Sequence, residues 1–157
     1  MTRDEIAALF ARRQQAWDTL DAATLAADYS EDATVDSPLA GGSATGRDAI
    51  ERLFATYFAA FPDFKLDHEL LLIDGDSVSQ LLRATGTDSG GFMGMSPTRR
   101  KITFRCAFFY ALRGGHISRE QRVYDFTGLL IQVGLLKAKP VSWTHGSRSR
   151  TAAAGAL

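Results

Sequence analysis

A chain of 157 residues, 45% hydrophobic and 23% charged, has the length and composition of one globular domain with a core of its own. Lys plus Arg and Asp plus Glu number 18 each, so there is no net basic field to gather nucleic acid, and no nucleic-acid partner is expected. The single cysteine, Cys106, excludes an intrachain disulfide and a cysteine-rich metal site; with no signal-peptide core and no long apolar run, a cytoplasmic protein without a membrane partner is expected.

Ile6, Leu9, Phe10, Ala16, Trp17 and Leu20 recur at helical spacing and predict an amphipathic helix from about Arg3 to Thr19. Asp21 reads as the N-cap of a second, short helix through Tyr29. Ala33 to Asp36 forms a brief extended piece stopped by Pro38, and Gly41-Gly42-Ser43 reads as loop. A third helix runs from Arg47 to Phe61, with Ile50, Leu53, Phe54, Tyr57 and Phe58 on one face, and Pro62 ends it.

Beyond Pro62 the period changes from helix to strand. Phe64, Leu66, His68, Leu70 and Leu72 alternate with Lys65, Asp67 and Glu69 as far as Asp74-Gly75, a strong hairpin signal. Ser77 to Thr87 is the return strand, Gly90 to Pro97 a flexible connection, and Ile102 to Leu112 a third long strand, which Gly114-Gly115 turns back into Ile117–Tyr124. Helices followed by a meander of strands give an α+β fold, three N-terminal helices packed on a curved antiparallel sheet. The third long strand is apolar on both faces, Phe104, Cys106, Phe108 and Tyr110 on one and Ala107, Phe109 and Ala111 on the other. Both faces therefore need cover, and a homodimer through the sheet is expected. Residues 1–136 form the domain, and 137–157 read as a tail, mobile at least beyond Gly146, with Val141 and Trp143 as its apolar positions.

No phosphate-binding glycine loop, dinucleotide fingerprint or zinc helix occurs, and neither a metal nor a cofactor is expected. Carboxylates are the candidates for chemistry. Asp125 follows a strand and precedes a short apolar turn, among Val123, Phe126, Leu129 and Leu130; poor solvation there would raise its pKa toward the range useful for acid–base work. The same position suits a helix N-cap, and the two roles can coexist. Asp36 could point inward or cap a turn, and Asp88 either joins the pocket or begins the turn Asp88-Ser89-Gly90. Cys106 reads as a small buried hydrophobe and His68 as a core or pocket-wall histidine.

Several motifs in order resemble the SnoaL-like polyketide cyclases of the nuclear-transport-factor-2-like superfamily. They are Tyr29 with Asp32 to Val35, Gly46 to Ile50, Ala60 to Phe64, Gly75-Asp76, Thr85 to Gly90, Phe92 to Gly94 with Pro97-Thr98, and Tyr124-Asp125 with Gly128 to Leu130, Gln132 and Gly134. The resemblance spans about Arg3 to Leu136. It implies a cone-shaped α+β barrel with one deep pocket, commonly dimeric through the sheet, and an Asp at the Asp125 position as acid/base of an intramolecular aldol closure without metal or cofactor. Family members commonly carry His where Asp88 stands and often Trp where Gln121 stands. Two acids in one pocket would suit proton relay in an isomerisation, or acid-assisted epoxide opening, as well as aldol closure.

The expected function is a cofactor-independent cyclase or isomerase of an apolar, oxygenated, polyketide-like small molecule. Asp125, Asp88 and Asp36 are its candidate catalytic residues, and Trp17, Tyr29, Tyr57, Phe58, Gln80, Leu82, Phe104 and Gln121 its candidate substrate-binding residues. On this reading Asp125→Asn abolishes turnover. The alternatives are a non-catalytic small-molecule-binding dimer and an epoxide hydrolase or epoxide-opening cyclase; the latter needs Arg83 or Arg105 turned into the pocket.

Overall fold

The structure, a computed structural model, describes residues 1–139. Helix α1 (Arg3–Asp18) is started by a capping box in which Thr2 Oγ1 accepts from the Glu5 amide and Glu5 accepts from the Thr2 amide, satisfying two otherwise orphaned donors. Its buried stripe includes Ile6, Leu9, Phe10 and Trp17. Asp21 caps α2 (Ala22–Ala27) through the Thr24 amide, as expected. The helix ends two residues before Tyr29, which begins strand β1 (Tyr29–Ser37), so the expected brief extended piece is a nine-residue strand.

A 3-10 turn at Pro38–Ala40 follows, closed by Gly41 in the left-handed region (φ 65°). The stretch expected as loop is then partly strand: β2 (Gly42–Thr45) pairs back on β1, with Ser37 opposite Gly42 and Asp36 opposite Ser43. Helix α3 (Arg47–Ala60) comes next. Four long strands complete the sheet, β3 (Lys65–Asp74), β4 (Ser77–Thr87), β5 (Lys101–Arg113) and β6 (His116–Tyr124), before the closing helix α4 (Phe126–Gln132).

The sheet order is β2-β1-β6-β5-β4-β3. The meander β3 to β6 is antiparallel throughout, whereas β1 lies parallel to β6, so the sheet is mixed rather than wholly antiparallel. That pairing joins segments more than eighty residues apart and has no local signature. The helical layer covers one face, where Trp17 meets Phe54 edge-on (centroids 5.2 Å apart) and Phe58 likewise (5.5 Å). Each such pair adds about 0.5–1.5 kcal/mol beyond the area it buries.

Two β-bulges decide which side chains reach this core. In β3 the register slips between His68 and Leu70, so Leu66 is buried while Leu70 and Leu72 turn outward, 48% and 55% exposed. The simple alternation predicted from the sequence fails at that point. In β6 the register slips opposite Ala111 and Leu112, which places Glu120 opposite Tyr110, Arg122 opposite Phe108 and Tyr124 opposite Cys106. One extra residue exchanges the two faces of everything beyond it.

Candidate functional site

The second bulge builds the site. Carried on without interruption from Arg113 opposite His116, the β5–β6 hairpin would set Gln121 against Phe108 and aim Val123 inward. The bulge instead sends Glu120, Arg122 and Tyr124 to the helical side, while Gln121, Val123 and Asp125 face solvent.

Between helices and sheet lies a small hollow of about 20 Å³, room for about one water-sized atom. Its wall is aromatic, with Trp17, Tyr57, Phe64, Phe104 and Phe108, and its polar groups are Ser37, Arg122 and Tyr124. A larger cleft of about 480 Å³ lies between α3 and the loop carrying Phe92 and Met93. Leu39 and Tyr57 belong to the walls of both.

Arg122 is the centre of this arrangement. Its side chain is only 8% exposed, and its Nε donates to Glu120 Oε1 at 2.6 Å. The guanidinium lies 4.8 Å from the Phe108 ring centre and 4.9 Å from that of Phe54, a stacked, desolvated setting. Burial, the largest single influence, pulls its pKa down, but Glu120 together with Tyr29 and Tyr110 outweighs that and the net direction is upward, so the group stays charged. Among the described residues its buried Nη2 has no hydrogen-bond partner. A buried unmet donor costs about 1–3 kcal/mol, and such a group at a pocket wall is suited to a ligand oxygen.

Behind Arg122 runs a buried polar chain. The completely buried Glu120 accepts from the Tyr29 hydroxyl, Arg13 Nη2 donates to that same hydroxyl at 3.1 Å, and Arg13 Nη1 lies 3.2 Å from Asp28 Oδ2. Tyr57 and Tyr124 both have pKa values raised chiefly by burial, so both hydroxyls remain protonated donors at neutral pH. Tyr124 Oη is 3.3 Å from Ser37 Oγ.

The residues predicted from the sequence divide into three groups. Trp17, Tyr57 and Phe104 line the hollow. Tyr29, Phe58, Leu82 and Gln80 are buried nearby without lining it: Tyr29 in the polar chain, Phe58 against Trp17, Leu82 in the core, and Gln80 accepting from Tyr110 Oη at 2.9 Å. The three acids and Gln121 do not line the hollow. Asp125 is exposed and caps α4, accepting from the Gly128 amide at 2.7 Å. Asp88 is 1% exposed, yet its carboxylate accepts from the Gly91 amide and from the Thr98 amide and hydroxyl (3.2, 3.0 and 2.7 Å) and so organises its own loop. Asp36 faces outward, held by Ser43 and by Arg119 at 3.1 Å, and these partners in that order keep its pKa below the ordinary value. Gln121 shares a shallow surface depression with Asp36.

Arg83 and Arg105 pair with Glu69 on the far face of the sheet, away from the hollow. Cys106 is buried as expected, and burial pushes its thiol up to about 12. Arg122, Glu120, Arg13 and Ser37 were not singled out from the sequence, and Tyr124 was named only as part of the Tyr124-Asp125 motif. The alternation Glu120-x-Arg122-x-Tyr124 was the available signal, two charges and an aromatic on one face of a strand beside the aromatic face of β5. Val141, Trp143 and the remaining tail positions from 140 onward lie outside the described residues.

Comparison with known proteins places this geometry in company. The family model described as SnoaL-like polyketide cyclase matches residues 7–133. AclR from Streptomyces galilaeus, a candidate hydroxylase, superposes with a TM-score of 0.76 at 24% identity, over 88% of this chain and 87% of AclR. IdmH from Streptomyces antibioticus, a candidate polyketide cyclase, gives a TM-score of 0.66 at 27% identity, over 83% of this chain and 96% of IdmH. TsrD from Streptomyces laurentii gives 0.75 at 17% identity, over 87% and 99%. Among curated proteins none matches the chain.

Proposed function

The chain belongs to the SnoaL-like polyketide cyclase family, and on that premise we propose that it closes or isomerises an apolar, carbonyl-bearing small molecule whose reacting oxygen is held by Arg122. The observation that carries this reading is the unpartnered, buried Nη2 of Arg122 beside an aromatic-walled hollow. A fixed donor in a dry site stabilises negative charge developing on a carbonyl oxygen far better than water does, because it needs no reorganisation as the charge grows.

A 1,3-dicarbonyl compound supplies its own enol, so the closure does not require a strong base. The enol carbon attacks the carbonyl held by Arg122, one carbon–carbon bond forms, and the carbonyl π pair moves onto oxygen. Tyr57 or Tyr124 gives that oxygen a proton, and the proton that the enol hydroxyl loses as it becomes a ketone returns to the tyrosinate so formed. Atoms and charge balance, and the product has the mass of the substrate. The aromatic wall contributes by holding a flexible chain close to its reacting shape.

The carboxylates named from the sequence have structural tasks in this reading, and Asp125 is not its base. Arg122→Lys is the test, because it keeps a cation beside Glu120 and removes the free Nη2 donor. Turnover should fall about a hundredfold to a thousandfold, the usual cost of one oxyanion donor. It is followed as a product of unchanged mass and altered retention time when the purified protein is incubated with metabolite extract of its own host. Wild-type turnover in a folded Arg122→Lys protein contradicts the assignment.

Two copies are proposed to meet through the outer sheet face. Leu70, Leu81, Ala107 and Val123 form one row across β3, β4, β5 and β6, beside exposed Leu72 and Phe109. A row of this kind is better covered than wet.

A further inference from the structure

We infer that Asp88 is a positioning residue for the cleft of about 480 Å³: its buried carboxylate ties together the two ends of the loop 91–98 and so holds Phe92 and Met93 as a preformed wall for an apolar ligand. The inference is independent of Arg122, which lines the hollow and not this cleft.

One carboxylate serves both ends of the loop. Asp88 Oδ1 accepts from the Gly91 amide at 3.2 Å, and Oδ2 accepts from the Thr98 amide at 3.0 Å and the Thr98 hydroxyl at 2.7 Å. The backbone of Asp88 closes the same gap, its amide donating to the Arg100 carbonyl and its carbonyl accepting from the Arg99 amide, both at 2.9 Å. The Ser89 and Gly90 amides donate to the carbonyl of Ala60, the last residue of α3, at 3.1 and 3.0 Å. The root of the loop is thereby fixed to the helix that forms the opposite wall of the cleft, where Leu53, Tyr57 and Ala60 lie.

The loop does not favour this shape by itself. Met93 (φ 53°) and Arg99 (φ 60°) both sit in the left-handed region that residues with a Cβ avoid, and such residues persist where their surroundings over-determine them. At the tip the Met95 amide donates to the Phe92 carbonyl at 3.0 Å, and Phe92 is buried with its ring 5.3 Å from that of Phe61, while Met93 and Met95 are exposed. Phe92 thus anchors the tip in the core, and the carboxylate sets the span between its ends. A wall already in place costs an entering ligand no ordering; a wall recruited from a mobile loop lowers the apparent affinity in proportion to the time it is out of place. Asparagine at 88 has the same shape but one acceptor oxygen, so with that oxygen on one amide its NH2 faces the other, and a backbone amide can only donate. Asp88→Asn therefore opens one arm of the clamp without changing its volume.

The test is fluorescence titration of the full chain with N-phenyl-1-naphthylamine, a neutral apolar probe without a carbonyl, alongside backbone hydrogen exchange read by mass spectrometry. The wild-type protein should bind the probe, and binding should slow exchange across 91–98. Asp88→Asn should bind it at least about tenfold more weakly and exchange faster across 91–98, with the protection of β4 and β5 kept. Faster exchange with unchanged affinity shows that Asp88 shapes its loop alone and overturns the inference. Unchanged exchange in Asp88→Asn, no probe binding by the wild type, or binding that leaves 91–98 unprotected overturns it too. If Asp88→Asn fails to fold, Thr98→Ala and Thr98→Ser decide: weaker binding in Thr98→Ala with recovery in Thr98→Ser supports the clamp, and equal affinity in the two overturns it. None of these readouts involves turnover by Arg122→Lys, so the two assignments fail separately.

Discussion

Asp125 binds the Gly128 amide at 2.7 Å, and the glycine is there because a Cβ at 128 would lie 2.1 Å from Asp125 Oδ2. The pair is a fitted cap, and its substitutions separate capping from chemistry. Asp125→Ala should cost about 1 kcal/mol, read from denaturant unfolding, while Asp125→Asn should stay within a few tenths because Asn caps as well as Asp. Equal losses in the two variants would show that charge, not the cap hydrogen bond, is what the position provides. Arg122 behaves differently because it is buried and paired. Removing its charge would strand Glu120 and cost about 3–5 kcal/mol, which is why Arg122→Lys is the informative change.

Hydrogen bonding across three strands makes one pH-sensitive element. Tyr110 donates to Gln80 Oε1, so Gln80 Nε2 is the donor toward His68 Nε2, 2.7 Å away, and His68 must be neutral there. His68 is exposed rather than a core or pocket-wall residue, yet partial desolvation holds its pKa below the ordinary 6.5, with Asp18 pulling the other way. A folded-state value below the unfolded one means the contribution is complete above pH 6.5 and is lost as pH falls through the lowered value. Unfolding midpoints should therefore drop as pH falls below about 6.5, and His68→Asn should flatten that drop. The lowered acids Asp21, Asp32, Asp36 and Asp63 lose their contributions only further down, below about pH 4. An unchanged slope in His68→Asn would remove His68 from the account.

Strand and helix order was legible because period and turn chemistry are local. Ser77–Thr87 and the hairpin before it follow directly from the sequence, although the turn residues are Gly75-Asp76 rather than Asp74-Gly75, and the capping of α2 by Asp21 does too. The site was less legible because it depends on register. A single extra residue in β6 sends Arg122 inward and Gln121 outward, and another in β3 turns Leu70 and Leu72 away from the core. Alternation cannot reveal a slip that only cross-strand pairing fixes. Asp125 illustrates the ambiguity: apolar sequence neighbours suggested a desolvated acid, but Val123 on its own strand is 55% exposed.

At the scale of the whole molecule, one face of the sheet is covered by helices and the other presents Leu70, Leu72, Phe109 and Val123, each at least 46% exposed. Sedimentation should find a dimer, and Phe109→Glu should shift it to monomer without lowering the melting temperature of the monomer fold. A wild-type monomer at high micromolar concentration would remove that interface. No helix among the described residues is long and apolar enough to cross a membrane. The most direct test of the central claim is the turnover of Arg122→Lys and Asp125→Asn measured side by side on one substrate. Asp125→Asn should keep wild-type kcat while folded Arg122→Lys loses about a hundredfold or more; full activity in Arg122→Lys with loss in Asp125→Asn would contradict it.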